Sequence, residues 1–559
     1  TGDGDYTSIY SIGILKTTDG GNTWNTVGAG SWDLPEINYI SRILIHPNRP
    51  DTVLFAARNA IYVTYDGGIN WFAPTVANGG NFKDMEFNPA DPDIIYASSK
   101  SYVFKSTDGG FSWVTLTNGL PTGGFGRVSI AVTPANANVI YALYSNAPYI
   151  GSDIYGLYKS GDAGASWAMV ANSSALPLGE MSRYTTALAV SPIDEDHVFA
   201  GGTDMDESTD GGLTWSHNFC SGYYDQHEIA FVPGNPTEML IANDGGIYRI
   251  DGTGGCFYSS VGMTITQFWR LGTSALSGMI YGGAQDEGHF NMPNTGNWNH
   301  EMLIGDGMEC MIDYTNDNNR YRSRQFGELF RTTNGGSNFQ FITPIALGSG
   351  EWITPFVMHP TVPNTLFGGY ACVWKTINKG SNWTKISPDL NSSTKIQSLD
   401  LATSNPKVNV AATIDSIYRT TDGGLNWNNI NSTLPTDSAA ITYIAIHSLD
   451  PSVMWVTFSG FEQGKKIYKS IDGGVTWINI SGTLPNVPVN CIVHQKNYME
   501  ALYIGTDLGV FYRDSTLSDW VNCNNNMPNV KISELEINYF TQKIYVATMG
   551  RGMWESTLP

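Results

Sequence analysis

The eight residues "STDGGFSW" at 106–113 decide the fold, because the chain repeats them. Near copies stand at 17–24 ("TTDGGNTW"), 208–215 ("STDGGLTW") and 420–427 ("TTDGGLNW"). The letters describe a tight chain reversal. Paired glycines take positive φ at no steric cost, the Asp carboxylate accepts hydrogen bonds from turn amides, and the Ser or Thr hydroxyl adds a local bond. The closing Trp is a large ring that contributes most where it is covered, so it is expected to wedge against a neighbouring unit. Chemistry repeated along a whole chain is scaffold, since a catalytic site needs one constellation.

Aligned on the Asp position, the copies fall at Asp19, Asp66, Asp108, Asp162, Asp210, Asn334, Asn378, Asp422 and Asp472. Trp24, Trp71, Trp113, Trp167, Trp215, Trp383, Trp427 and Trp477 close eight of them, and Phe339 closes the ninth. Spacings run from 42 to 54 residues, apart from one gap of 124. Worn copies fit inside that gap at 247–257 ("IYRIDGTGGCF") and 288–298 ("GHFNMPNTGNW"), and another stands at 510–520. A period of this size signals a solenoid, propeller or array. Within one period, residues 83–117, four short alternating or β-branched segments are separated by Gly, Pro, Asn and Asp turns, which is the pattern of a four-stranded blade. Helical periodicity is absent.

The expected fold is therefore all-β: tandem β-propellers of about six to seven four-stranded blades each, with a first lobe over 1–265 and a second over 266–559. A single ring of ten or more blades is the alternative. The N-terminal segment supplies late strands and the C-terminal "KIYVATMGRGMWES" early ones. Pairing of the two ends would close a ring and hide exposed strand edges.

Acidic residues number 51 and basic residues 30, a net charge of −21, with no Lys/Arg cluster to interrupt the excess. An electrostatic grip on nucleic acid is excluded on that balance. No apolar run is long enough to cross a bilayer, so membrane insertion is not expected. No phosphate loop, zincin motif, nucleophile elbow or CxxC pair is present, and neither a cofactor nor a metal is expected. Asp204 opens a segment that begins like a calcium loop, but Trp215 stands where the bidentate Glu belongs. Of six cysteines, Cys220 with Cys256 and Cys491 with Cys523 lie about one repeat apart, the spacing of bridges between neighbouring units in an oxidising compartment. Free buried thiols are the other reading of the same spacing.

The string S/T-x-D-G-G-x-T/S-W resembles the Asp-box (BNR) repeat of sialidases, of xyloglucanase-type glycoside hydrolases, of the sortilin ectodomain, and of bacterial secreted proteins, some of them exported by type IX secretion. Through "NDGGIYR" (243–249), "TQFWRLG" (266–272), "GGAQDEG" (282–288) and "GDGMECMID" (305–313) the chain is most similar to the sortilin-like and xyloglucanase-like bacterial group. The resemblance implies a secreted or cell-surface protein with a protein or carbohydrate ligand. A sialidase is not implied, because the Arg-Ile-Pro motif is missing.

In a propeller the second-to-third turn of each blade and the connection to the next blade share the channel face. Sorted by that rule, Asp225, Asp244, Asp286, Glu287 and Asp306 fall on this face, with Tyr223, Tyr224, Trp269 and Trp352 as aromatic platforms. Carboxylates facing each other across a groove flanked by sugar-stacking rings are what glycoside hydrolysis needs. Asp286 and Asp306, with Asp244 in reserve, are the catalytic candidates. The expectation placed first is a non-catalytic propeller that binds a protein or glycan through this face or an inter-propeller groove. The alternative is a xyloglucanase-like hydrolase of β-glucan.

Overall fold

A computed structural model describes residues 13–28, 39–147, 154–179, 182, 184–217, 220, 223–294, 296–301, 305–343, 345–391, 394–498 and 500–558. They contain no α-helix; beyond two single 3-10 turns, Gln325–Gly327 and Ile345–Leu347, the regular structure is strand. The chain divides into two compact units, Thr1–Gly262 and Met263–Pro559. Both are propellers made of consecutive antiparallel sheets in which sequence neighbours pair.

In the first unit a strand pair, Ile14–Lys16 with Asn25–Val27, precedes sheets over 40–64, 82–116, 125–172, 187–208 and 226–258. In the second, seven sheets follow one another from Phe268 to Thr557. Closure of this ring takes place inside the unit. Met549 bridges Gln267, Ser533 Oγ donates to the Phe268 carbonyl, and Asn538 Nδ2 donates to Ser274 O at 2.9 Å. The partner of the last sheet is thus residues 266–274, whereas repeat spacing alone pointed to the chain's first strands. Sequence cannot show which edge a final blade meets when several edges share the same pattern.

The repeated box behaves as its chemistry dictates. In the copy at 106–113, Ser112 N–H donates to Asp108 Oδ1 at 2.9 Å, Gly110 N–H donates to Ser106 Oγ at 2.9 Å, and both glycines have positive φ. Hydrogen bonds from the residue four positions on hold Asp19, Asp162, Asp210 and Asp472 at about 2. Trp113, Trp167 and Trp477 are buried in seams between consecutive blades. Trp71, Trp215, Trp383 and Trp427 are half-buried, and Trp24 is 56% exposed.

The indole N–H is used differently in the two units. Trp113, Trp167 and Trp215 donate to the second Gly of their own box. In the second unit Trp383, Trp427, Trp477 and Trp520 donate instead to main-chain carbonyls of the preceding blade, at Ile342, Ile386, Ile430 and Ile480. There the ring packs and also ties blades together.

Cys220 and Cys256 form a disulfide. The other candidate pair is not bonded: Cys491 is buried and Cys523 exposed, both as free thiols. The reason is geometric. Cys491 lies on the innermost strand of its sheet and Cys523 just past the outermost, so about three strand spacings, ~14 Å, separate them. Cys256 lies on the outermost strand of its sheet and Cys220 in the connection leading into that blade, with their Cα atoms 5.9 Å apart.

Innermost strands carry a recurrent bulge, after which a side chain turns to the channel: Arg42, Asp84 and Glu228 in the first unit, Arg270, Tyr443 and Glu534 in the second. In the second unit one guanidinium serves several acids. Arg270 Nε lies 2.9 Å from Glu534 and 3.5 Å from Glu309, while Tyr443 OH donates to Glu534 at 2.8 Å. Burial pushes Glu309 well above the usual carboxylate range, Glu536 to about 8 and nearby Asp400 to about 7, with Lys496 as the further cation opposing both shifts.

Folded carboxyls then hold protons that the unfolded chain releases from about 4.5 upward, so the stability they contribute is full below that pH and is lost as pH rises toward about 8. The box aspartates act oppositely, but only as pH falls through about 2 to 4. Buried His494, held down at about 4, and buried His289 act oppositely up to the ordinary imidazole range, so urea midpoints of the second unit should fall from pH 7 to pH 8, and Glu536→Gln should flatten that fall. A midpoint that rises over this range would refute the assignment.

Candidate functional site

Asp286, Glu287, Asp306, Trp269 and Trp352 come together in the second unit, joined by two glutamines. Trp269 Nε1 donates to Gln285 Oε1 at 3.0 Å, and Gln285 Nε2 donates to Asp286 Oδ1 at 2.9 Å. Asp286 N–H donates to Asp306 Oδ1 at 2.6 Å, and Gln325 Nε2 donates to Asp306 Oδ2. Next to Gln325, the ring of Phe326 meets that of Trp352 edge to face at 5.3 Å.

Local sequence explains the arrangement. Ala284 pairs with Gly288 across one second-to-third turn, and Arg324 with Glu328 across the same turn of the next blade. Asp286 and Phe326 thus occupy equivalent positions, and both adopt the left-handed region, φ 59° and 60°. For a bulky aromatic residue this is a strained conformation. Phe326 N–H donates to Trp352 O at 3.2 Å and Gly350 N–H to Phe326 O at 2.9 Å, which fixes the turn. Its ring is half exposed, and Trp352 is 38% exposed. Close packing of the connection at 305–308 is obligatory: a Cβ on Gly307 would stand 1.7 Å from the Gly288 carbonyl.

The candidate acids are not alike. Asp306 is 3% exposed, and both its oxygens accept hydrogen bonds, one from a backbone amide, so it acts as a turn-holding acceptor. Burial pushes Glu287 up to about 7, making it half protonated near neutrality. Its carbonyl accepts from His300 Nε2.

Asp244, Tyr223, Tyr224 and Asp225 form a separate cluster within the first unit. His227 Nε2 lies 2.6 Å from Asp244 Oδ1, and the Tyr184 ring meets His227 edge-on at 5.1 Å. Asp225 is left-handed, φ 62°, and burial followed by the nearby Asp244 charge raises its pKa. Tyr223 lies so flat on the turn at 243–246 that a Cβ on Gly245 would meet its ring at 2.4 Å. Tyr224, 6.1 Å away, is largely exposed.

Gln325 and Phe326 were not among the sequence candidates. "RQFG" at 324–327 shows no motif, and only alignment with "AQDE" at 284–287 places them at the same turn. Among the described residues no group of three His, Cys, Asp or Glu could hold a metal, and no helix is long and apolar enough to cross a membrane.

Fold and site together define an all-β propeller protein that carries a polar cluster edged by aromatic rings. No protein-family model matches the chain, and no curated protein sequence matches it. Solved structures do. A GH74 enzyme from Niastella koreensis is similar at TM-score 0.65 and 14% identity, over 97% of this chain and 86% of that one. The GH74 xyloglucanase from Xanthomonas campestris follows at 0.63 and 15%, over 96% and 84%. An ancestral GH74 enzyme gives 0.52 and 14%, over 98% and 94%. At such identities the likeness establishes the fold.

Proposed function

We propose that the protein is an exported glycan-binding propeller that holds a neutral, β-linked sugar chain on the channel face of its second unit. The observation that carries this reading is the exposed Phe326–Trp352 pair beside the hydrogen-bonded run Gln325, Asp306, Asp286 and Gln285. Aromatic faces cover the apolar face of a sugar, while amides and carboxylates pair its hydroxyls. Asp306, with both oxygens engaged, positions the Asp286 turn and is poorly suited to activate water, which favours binding over hydrolysis. The disulfide supports residence in an oxidising compartment.

Titration with xyloglucan and mixed-linkage β-glucan oligosaccharides tests this. Trp352→Ala should weaken binding about tenfold, ~1.4 kcal/mol, with the unfolding midpoint unchanged. Equal affinity in the variant, or no binding to any neutral β-glucan, would count against it.

A second reading rests on Glu287. A carboxyl held at about 7 is fit to protonate a leaving oxygen. A xyloglucanase-like hydrolase would release sugar from the same panel and lose that activity in Glu287→Gln and Asp286→Asn. No sugar release from the wild-type chain would eliminate this alternative.

A further inference from the structure

The seams of the first unit are not built alike, and in the sheet over 40–64 the second and third strands meet at an apolar pair, Leu54 with Val63. In the sheets over 82–116 and 125–172 a lysine on the third strand pairs across the ladder with an aromatic residue on the second, Lys105 with Tyr96 and Lys159 with Tyr141. Each ammonium lies over its ring, at 5.6 and 5.4 Å, and reaches the next blade. Lys105 Nζ donates to Ala163 O at 2.8 Å, and Lys159 Nζ meets Asp196 at 2.5 Å. Lys375 repeats the arrangement over Phe367 in the second unit.

In the sheet over 187–208 the same register pairs Phe199 with Glu207. The charge is reversed, so this blade has no cation to extend to its neighbour. That neighbour also lacks the box Trp. Phe257 stands in its place and is half exposed, outside the seam. A cleft of about 220 Å³ remains, lined by His197, Phe199, Glu207, Phe231, Thr237 and Asp251. His197 forms part of the wall, its ring 4.4 Å from Phe199 and its Nε2 3.3 Å from Glu207.

We propose that this cleft is a binding site for an alkylammonium group, the chemistry of a lysine side chain, held by Glu207 beside Phe231, at the seam where the two preceding blades extend their own lysine. The carboxylate supplies the countercharge, the half-buried Phe231 ring supplies cation–π attraction and cover for the methylene stem, and Phe199, 1% exposed beneath His197, forms the floor. Cys220–Cys256 joins the two blades of this seam. The site lies in the first unit and stands or falls independently of glycan binding in the second.

Calorimetric titration of the full chain with n-butylamine, with n-butanol as the neutral isostere and with a blocked Gly-Lys-Gly peptide, tests the site. Expected is saturable, millimolar-range binding of the amine and none of the alcohol, weakened about tenfold or more by Glu207→Gln. Glu207→Lys should refill the seam from within, abolishing amine binding while holding or raising the unfolding midpoint. Tighter binding of the peptide than of butylamine identifies a partner's lysine as the source, and the reverse order a free amine. Butanol binding as well as butylamine, unchanged binding in both variants, or no saturation by either amine or peptide would overturn the proposal.

Discussion

Trp477→Ala lowers the unfolding free energy of the second unit by about 3–5 kcal/mol, read from urea denaturation. Trp477 is buried in a seam among Val410, Ile417 and Met454, and its Nε1 donates to Ile430 O at 2.8 Å. Alanine leaves both a cavity and a carbonyl without its partner. Phenylalanine keeps most of the ring and forfeits the bond, so Trp477→Phe separates the two contributions at a cost of about 1 kcal/mol for the bond alone. In the first unit the indole bond is local, as at Trp113 and Gly110, so Trp113→Phe should disturb its own turn without loosening the neighbouring blade. A loss below about 1 kcal/mol for Trp477→Ala would mean that the seams do not depend on their indoles.

Removing the disulfide is the second large effect. Cys256→Ser is expected to destabilise the first unit by about 2–5 kcal/mol, as is typical when a native disulfide is lost. Cys220 and Cys256 are 36 residues apart in sequence, and the bond joins the one pair of blades in this unit whose second member has a worn, Trp-less box. The hydrophobic cluster of that seam contains both cysteines and no tryptophan. The disulfide therefore takes over a tie that an indole makes elsewhere. Denaturation with and without reductant measures it. A wild-type midpoint for the first unit that ignores reductant would contradict the assignment.

Much of the frame was legible in the sequence because it is written repeatedly. Asp, paired Gly and Trp at fixed offsets state a turn and a covered ring, and nine copies leave little room for another fold. Ring closure onto residues 266–274 was not legible, since every inner strand offers a similar edge. The cysteine pairs were ambiguous because spacing reports a blade interval but not strand depth, and depth separates Cys491 from Cys523.

The site was half legible. Asp286, Glu287 and Trp352 fell on the channel face by topology alone. Their unequal chemistry did not: burial sets Glu287 at about 7, and contacts remote in sequence engage Asp306. Phe326 escaped notice because a left-handed aromatic residue has no sequence signature. Glu207 could have been singled out, since it is an acid at a position where Lys105, Lys159, Lys375 and Lys469 are basic.

The division of labour between frame and rim is tested most directly by measuring β-glucan oligosaccharide affinity and urea midpoint side by side for Trp352→Ala and Trp477→Phe. Expected is lost affinity with an unchanged midpoint in the first variant, and a lowered midpoint with intact affinity in the second. Affinity lost through Trp477 and preserved without Trp352 would contradict it.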